Sequence, residues 1–191
     1  PFTVTGAVRE YMMAANWPLY SYASMGSGTA RMIQHYGTEE QKQTYLEKLN
    51  TGQWGGTMLL TEPEAGTDVG ALTTTAVKND DGTYSLVGNK IFITNGEHDL
   101  VQNIIHPVLA RVEGDPPGTK GISIFIVPKI LVDENGRPGE RNDIVCTGIE
   151  EKHGIHGSAT CVMALGDKNR CVGYLLGEQR QGMKIMFNMM N

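Results

Sequence analysis

The residues that could do chemistry are concentrated in one loop, residues 60–68, which reads Leu-Thr-Glu-Pro-Glu-Ala-Gly-Thr-Asp. The loop follows the short apolar run 58–60, which glycines and a proline flank, and this pattern predicts the buried end of a strand. Glycine permits positive φ and close backbone approach, so amides near Gly66 and Gly70 could face an anionic or polar ligand. The alternative is a plain surface turn between two strands.

The bulk composition describes an acidic chain of ordinary hydrophobicity. It has 191 residues, a formal net charge of −5 and 40% hydrophobic residues, with Lys and Arg scattered along the sequence. This charge pattern argues against nucleic acid or an anionic membrane surface as a partner. No apolar run approaches the roughly 18 residues of a membrane-spanning helix, so no membrane span is predicted. The three cysteines lack Cys-x-x-Cys spacing, which favours a reducing, cytoplasmic location without a disulfide framework.

The first quarter of the chain predicts helices. Residues 7–16 are rich in helix formers, Pro18 ends or kinks that segment, and a second helical stretch runs over 19–36. A capping box formed by Thr38 and Gln41 begins a third helix that ends near residue 50. The small residues of 25–31 match only part of a dinucleotide fingerprint and follow no strand, so they indicate a tight helix contact.

From residue 53 the pattern changes to short segments rich in Thr, Val and Ile, separated by turn signals such as 79–82 and 87–89. The predicted strands are 53–61, 73–78, 84–87, 90–94, 104–112, 121–128, 144–149 and 160–165. Exposed polar loops are predicted at 114–118 and 133–143. A series of short strands without intervening helices favours an antiparallel β-barrel or sandwich.

The end of the chain predicts one more helix. Residues 179–191 place Met183, Met186, Phe187 and Met190 on one helical face and end without a cap. We therefore expect the chain to be a piece of a longer protein; the alternative is that this helix packs back on the β domain or dimerises. The predicted fold is α+β: a helical segment at 1–52, a middle β domain at 53–177 and a truncated C-terminal helical domain at 178–191.

The order of these motifs resembles the acyl-CoA dehydrogenase family. After the loop at 60–68 come Lys-Ile-Phe-Ile-Thr-Asn-Gly at 90–96, Lys-His-Gly-Ile-His-Gly-Ser at 152–158 and Leu-Gly-Glu at 176–178. The resemblance covers nearly the whole chain. Segment 154–160 is most similar to the larger bacterial members, including those that act on methylmercaptopropionyl-CoA.

The resemblance implies that the β domain binds FAD and acyl-CoA. The backbone at Met58 and Leu60 and the hydroxyl of Thr61 would then face the pyrimidine edge of the flavin. Gly66 and Thr67 would meet the pyrophosphate, and Thr67 would also touch the acyl-CoA. Amide and hydroxyl donors suit that edge because flavin reduction places negative charge on it.

Two further residues receive roles from the resemblance. Phe92 stands where the family usually has tryptophan beside the isoalloxazine, and Thr94 would lie near flavin N5. The family's general base is a glutamate of the C-terminal bundle, beyond Asn191, so no catalytic residue is predicted in this chain. Glu62 is instead expected to brace its loop by accepting backbone N–H groups.

The implied activity is FAD-dependent α,β-dehydrogenation of an acyl-CoA thioester. The implied partners are acyl-CoA, an electron acceptor such as an electron-transfer flavoprotein, and further copies of the full-length chain in a homo-oligomer. The alternatives are an acyl-CoA oxidase or a flavin monooxygenase of the same fold, or a non-catalytic β binding module. A metal site at His153, His156 and Cys161 is a weaker alternative because no fourth ligand is evident, and no metal is predicted.

Overall fold

The structure is a computed structural model that describes residues 2–133 and 135–190. Pro1 and Asn191, the outer ends of the predicted helical segments 1–52 and 178–191, lie outside the described residues. Within the described residues, three α-helices and ten strands follow in chain order: α1 (Phe2–Tyr36), α2 (Glu39–Asn50), β1 (Trp54–Gly56), β2 (Thr75–Lys78), β3 (Tyr84–Thr94), β4 (Asn103–Val112), β5 (Ile122–Pro128), β6 (Ile130–Val132), β7 (Pro138–Arg141), β8 (Ile144–Ile149), β9 (Thr160–Leu165), β10 (Val172–Leu175) and α3 (Gly182–Met190). Helix, β domain and helix succeed one another, as predicted.

The helical segment has the break and the cap that the sequence predicts. Asn16 leaves the helical region at φ −163°, and its side-chain oxygen accepts the Leu19 N–H at 2.9 Å. Asn16 is thus the N-cap of a new helical segment that contains Pro18 in its first turn. At the start of α2, the Gln41 N–H donates to the Thr38 hydroxyl while the Thr38 N–H donates to the Gln41 side chain. No helix among the described residues is long and apolar enough to cross a membrane.

The glycines of 25–31 serve close packing, as predicted. A side chain at Gly26 would lie 3.5 Å from the carbonyl oxygens of Leu49 and Trp54. One at Gly28 would lie 2.7 Å from the Met189 side chain. These glycines let α1 approach α2, β1 and α3, so the partial dinucleotide fingerprint has a structural explanation.

The main sheet closes on itself. Its strand order is β1-β4-β5-β10-β3-β9-β8, and β2 pairs with both β3 and β4, so β2, β4, β5, β10 and β3 form a ring. This is the predicted barrel. The prediction that it is antiparallel is wrong in detail, because β1 and β2 each pair in parallel with β4. Both parallel pairs join strands that are distant in sequence.

Two of the predicted strands, 84–87 and 90–94, are one strand. Gly88 and Asn89 pair with Leu165 and Ala164 of β9 and make no turn. A side chain at Gly88 would lie 2.4 Å from the Thr74 hydroxyl, so the glycine permits close backbone approach. The turn interpretation of this glycine was wrong.

The boundaries of other strands also differ from the prediction. Only Trp54–Gly56 of the predicted strand 53–61 is a regular strand. The predicted loop 133–143 contains β7, which pairs with β6, and β10 was not predicted at all. These strands are three or four residues long, too short for a period-two pattern to be distinctive.

Alternation along the strands divides the core in two. One face of β4 and β5 packs under the helices, where Ile105, Leu109 and Ile124 join Ile33 of α1 and Ile185 of α3. The opposite face fills the barrel, a cluster that includes Leu59, Leu86, Val108, Phe125 and Val127. The helices therefore fix β1 and the loop after it against the outside of the barrel.

The face that α3 buries differs from the prediction. Ile185 and Met186 are buried, whereas Phe187 and Met190 are each 48% exposed. Ile185 lies in the core cluster beneath the helices. The predicted methionine stripe is therefore rotated relative to the surface that contacts the barrel.

Candidate cofactor site

Strand β1 continues beyond its last regular residue alongside β4. The Thr57 N–H donates to Ile105 O at 3.2 Å, and the Leu59 N–H donates to Pro107 O at 2.9 Å. Leu59 also forms an isolated parallel bridge with Val108. The amides of residues 57 and 59 are therefore directed toward β4.

The intervening amides, those of Met58 and Leu60, lie on the opposite edge, because successive N–H groups of an extended backbone alternate in direction. Neither has a hydrogen-bond partner among the residues that the structure describes. Both residues are half-buried. Unpaired donors on a half-buried edge suit a ligand that brings acceptors, since an unmet backbone N–H is costly once water is excluded.

A tight reversal places Thr61 next to Gly66. Glu62 and Ala65 exchange two backbone hydrogen bonds, of 3.2 and 3.1 Å, around the turn. A side chain at Gly66 would meet only the Thr61 methyl group, at 4.0 Å. Gly66 and Thr67 are exposed, and the Thr61 hydroxyl has no partner within the described part of the chain. Small residues and free donors thus share one open surface.

Glu62 is a brace, as predicted. Its side chain is buried, and its two oxygens accept from the amides and hydroxyls of both Thr73 and Thr74 at 2.5–3.1 Å. The Lys90 ammonium donates to Oε1 at 2.8 Å. Burial alone would raise the pKa of Glu62, but the Lys90 charge and these donors lower it to about 2. Glu62 is therefore a paired carboxylate at neutral pH and is not available as a base.

Lys90 reaches the same loop from β3. Its side chain is 0% exposed, and its ammonium donates to Leu60 O at 3.2 Å as well as to Glu62. The next amide, Ile91 N–H, donates to Thr61 O at 2.9 Å. Strand β3 thus holds two successive carbonyls of the loop.

A bulge in β3 makes this connection possible. The register between β3 and β9 shifts between Lys90 and Ile93, which frees the Ile91 amide to bond Thr61. Phe92 has a φ of 56° and its side chain is 47% exposed. A positive φ is strained for a phenylalanine, and such strain is found where the surrounding structure presents a side chain for function.

Phe92 lines an open crevice of about 750 Å³ together with residues 151–155. Two residues further along β3, Thr94 pairs with Thr160 of β9 and is half-buried. The predicted site residues therefore fall on two stretches, 58–67 and 92–94. Contacts from Lys90 and Ile91 join these two stretches.

Two residues that hold the site were missed by sequence reasoning, Lys90 and Arg111. The Arg111 guanidinium donates to Gly70 O at 2.9 Å, to Gly118 O at 3.0 Å and to Pro116 O. Arg111 thus ties Gly70, at the end of segment 61–70 (the glycine-containing loop), to the loop before β5. A lysine or arginine in a strand ordinarily signals an exposed position, so neither residue carried a sequence signal for this role.

The weaker metal alternative gains no support. Across residues 2–133 and 135–190, no three His, Cys, Asp or Glu side chains converge as a metal site. His153 and His156 are exposed, while Cys161 is buried between β3 and β8. The three candidate ligands thus lie in different environments.

The described residues thus form a helical segment packed on a closed β-barrel, and the amide and hydroxyl donors along one strand edge have no partner among these residues. The chain belongs to the acyl-CoA dehydrogenase family. The family's middle-domain model matches residues 57–167, and its N-terminal-domain model matches residues 2–53.

Relatives of known name agree with this assignment. The chain is 43% identical to a butyryl-CoA dehydrogenase of Syntrophomonas wolfei and 44% identical to the 3-methylmercaptopropionyl-CoA dehydrogenase of Ruegeria pomeroyi. Each match covers 100% of this chain and 32% of the relative, so the chain spans about a third of their length. The structure of a Bacillus anthracis acyl-CoA dehydrogenase complexed with FAD is 33% identical with a TM-score of 0.66, over 84% of this chain and 24% of that one.

Proposed function

We propose that the whole protein containing this chain is an FAD-dependent acyl-CoA dehydrogenase and that this chain supplies most of its flavin-contacting surface. The observation that carries the proposal is that the amides of Met58 and Leu60 and the hydroxyl of Thr61 have no partner among the described residues. Family membership supports it. In this proposal 1–52 is the end of the N-terminal helical domain, 53–177 is the middle β domain and 178–191 begins the C-terminal helical domain.

The donor edge fits the pyrimidine side of a flavin. Bound FAD supplies an acceptor for the hydride that leaves the β-carbon of the acyl thioester. The amides of Met58 and Leu60 and the hydroxyl of Thr61 would hold the pyrimidine edge of the flavin, where donors would stabilise negative charge. Preformed donors pay no reorganisation cost when that charge appears.

The remaining predicted residues bind and orient. The amides at Gly66 and Thr67 hold the pyrophosphate, where the absent side chain of Gly66 permits close approach, and Thr67 also contacts the acyl-CoA. The Phe92 ring would pack against the isoalloxazine, and Thr94 would lie near flavin N5. The exposure of Gly66, Thr67 and Phe92 supports these roles.

We infer that the general base comes from another part of the whole protein. Glu62 is the most enclosed carboxylate of the loop and is already bonded to Lys90, Thr73 and Thr74. Glu64 and Asp68 are exposed loop residues. The chain by itself is therefore expected to turn over little or no acyl-CoA.

The finer statements about partners belong to the same proposal. The substrate is an acyl-CoA, the electron acceptor is an electron-transfer flavoprotein, and the whole protein forms a homo-oligomer in the cytoplasm. Family membership and the names of the relatives support an acyl-CoA substrate. The three cysteines, which are all free thiols, agree with a reducing compartment.

The proposal is tested with the whole protein and two matched variants. Thr61→Val removes the hydroxyl at constant shape, and Thr75→Val makes the same change on the exposed face of β2. We expect purified protein to be yellow and to be bleached by acyl-CoA. Thr61→Val should weaken FAD binding about fivefold or more, the effect of one lost hydrogen bond, whereas Thr75→Val should not.

Other outcomes would favour the alternatives. Colourless protein that takes up no FAD would support the binding-module alternative. Yellow protein that forms peroxide with acyl-CoA in air would support an oxidase. Equal FAD affinities of the two Thr→Val variants would contradict the role given to Thr61.

A further inference from the structure

Lys90 is a buried charge whose position calls for an explanation. Its side chain is 0% exposed, and its ammonium has two acceptors, Glu62 Oε1 at 2.8 Å and Leu60 O at 3.2 Å. Buried ion pairs contribute little net stability compared with apolar residues of similar volume. The bond to a loop carbonyl therefore points to a role beyond holding the fold.

The Leu60 carbonyl shares a peptide unit with the Thr61 N–H. In a planar trans peptide the C=O and the N–H point in opposite directions, so the Lys90 bond to Leu60 O directs the Thr61 N–H away from Lys90. The following carbonyl, Thr61 O, accepts the Ile91 N–H at 2.9 Å. Both peptide units flanking Thr61 are thus anchored to β3, and the Thr61 N–H has no partner among the described residues.

We propose that Lys90 is a positioning residue for the flavin: its ammonium fixes the Leu60–Thr61 peptide so that the Thr61 hydroxyl faces the pyrimidine edge. This inference rests on the proposed function. Lys90 acts through the loop backbone and touches neither flavin nor substrate. Glu62 neutralises the charge of the ammonium.

The competing explanation is that the Lys90–Glu62 pair only stabilises the β domain. Three variants of the whole protein separate the two explanations. Lys90→Met leaves a buried carboxylate without its counter-charge. Glu62→Gln keeps the ammonium beside Leu60 O. The double variant Lys90→Met/Glu62→Gln removes both charges while keeping similar volumes.

FAD affinity, the flavin absorption spectrum and the unfolding midpoint are measured for each protein. We expect the double variant to recover much of the stability that Lys90→Met loses, while its FAD dissociation constant stays about tenfold above wild type and its flavin spectrum stays shifted. We expect Glu62→Gln to lose stability but to keep a flavin spectrum close to wild type. Recovery of affinity and spectrum together with stability in the double variant would overturn the proposal.

Failure of a variant to fold and failure of wild type to bind FAD have different consequences. If neither Met variant folds, Glu62→Gln decides: a wild-type flavin spectrum at reduced stability supports the positioning role, and a loss of FAD affinity in step with stability overturns it. If wild-type protein binds no FAD, the proposed function itself fails. If wild type binds FAD and Lys90→Met binds it with the same affinity, only the positioning role of Lys90 is overturned and the proposed function stands.

Discussion

Glu62→Gln should cost the protein about 3 kcal/mol of stability at neutral pH. The Glu62 carboxylate accepts from Lys90 and from both Thr73 and Thr74, and it is 2% exposed. Glutamine keeps one acceptor oxygen, but its amide group brings donors toward groups that are themselves donors. The Lys90 ammonium is then buried without its counter-charge. Such a change ordinarily destabilises a protein by about 3–5 kcal/mol, and we take the lower end of that range, about 3 kcal/mol.

The lowered pKa of Glu62, which results from the same contacts, corresponds to a similar magnitude. Lowering that pKa from 4.5 to about 2 corresponds to about 3 kcal/mol of preference for the ionised folded state. Because the folded-state pKa lies below the unfolded value, this stabilisation is complete above about pH 5 and is lost as the pH falls from 4.5 toward 2. At pH 3 about 1 kcal/mol of it remains.

The assay is urea unfolding of wild type and Glu62→Gln at pH 7 and pH 3, followed by circular dichroism. The control is Glu64→Gln, a neighbouring exposed carboxylate without a bonded partner in the described residues. The difference between wild type and Glu62→Gln should shrink markedly from pH 7 to pH 3, and Glu64→Gln should follow wild type at both values. A cost below 1 kcal/mol at pH 7, or one that is equal at the two pH values, would refute the reasoning.

Two further substitutions test the supports of the site. Gly56→Ala places a methyl group 2.4 Å from the Thr29 hydroxyl, so α1 must move away from β1. Thermal unfolding should show a loss of stability of about 1–3 kcal/mol. The control Gly6→Ala, with no atom within 4 Å of the added methyl group, should be neutral or slightly stabilising. Arg111→Met removes the bonds to the carbonyls that include Gly70 O, so stability should fall by about 2 kcal/mol and amide hydrogen exchange should accelerate in the glycine-containing loop. Unchanged exchange there would mean that Arg111 does not order the loop.

The sequence predicts those parts of the site that depend on local chemistry. Thr38 and Gln41 form the predicted capping box. Glu62 accepts backbone N–H groups, as predicted for a carboxylate after a strand end, but its partners Thr73 and Thr74 lie 11 and 12 residues further along the chain. The partial fingerprint at 25–31 packs helices, as its missing strand indicated.

The parts that escape prediction depend on strand pairing between distant residues. Lys90 meets Glu62 across 28 residues, and only the closure of β3 onto the loop makes its burial possible. The positive φ of Phe92 follows from a register shift against β9, which no local pattern encodes. For the same reason Gly88 predicts a turn from sequence but permits close packing on Thr74 in the fold.

The amides of Met58 and Leu60, which have no partner among the described residues, also bear on how the protein avoids self-association. A strand edge with unpaired N–H groups is a template on which another chain can add a strand. Here the open edge is short, since the chain reverses at Pro63, and the loop 61–68 beside it carries two exposed carboxylates, Glu64 and Asp68. A cofactor that occupies these donors would cover the edge, so the loaded protein should be less prone to aggregate than the empty one.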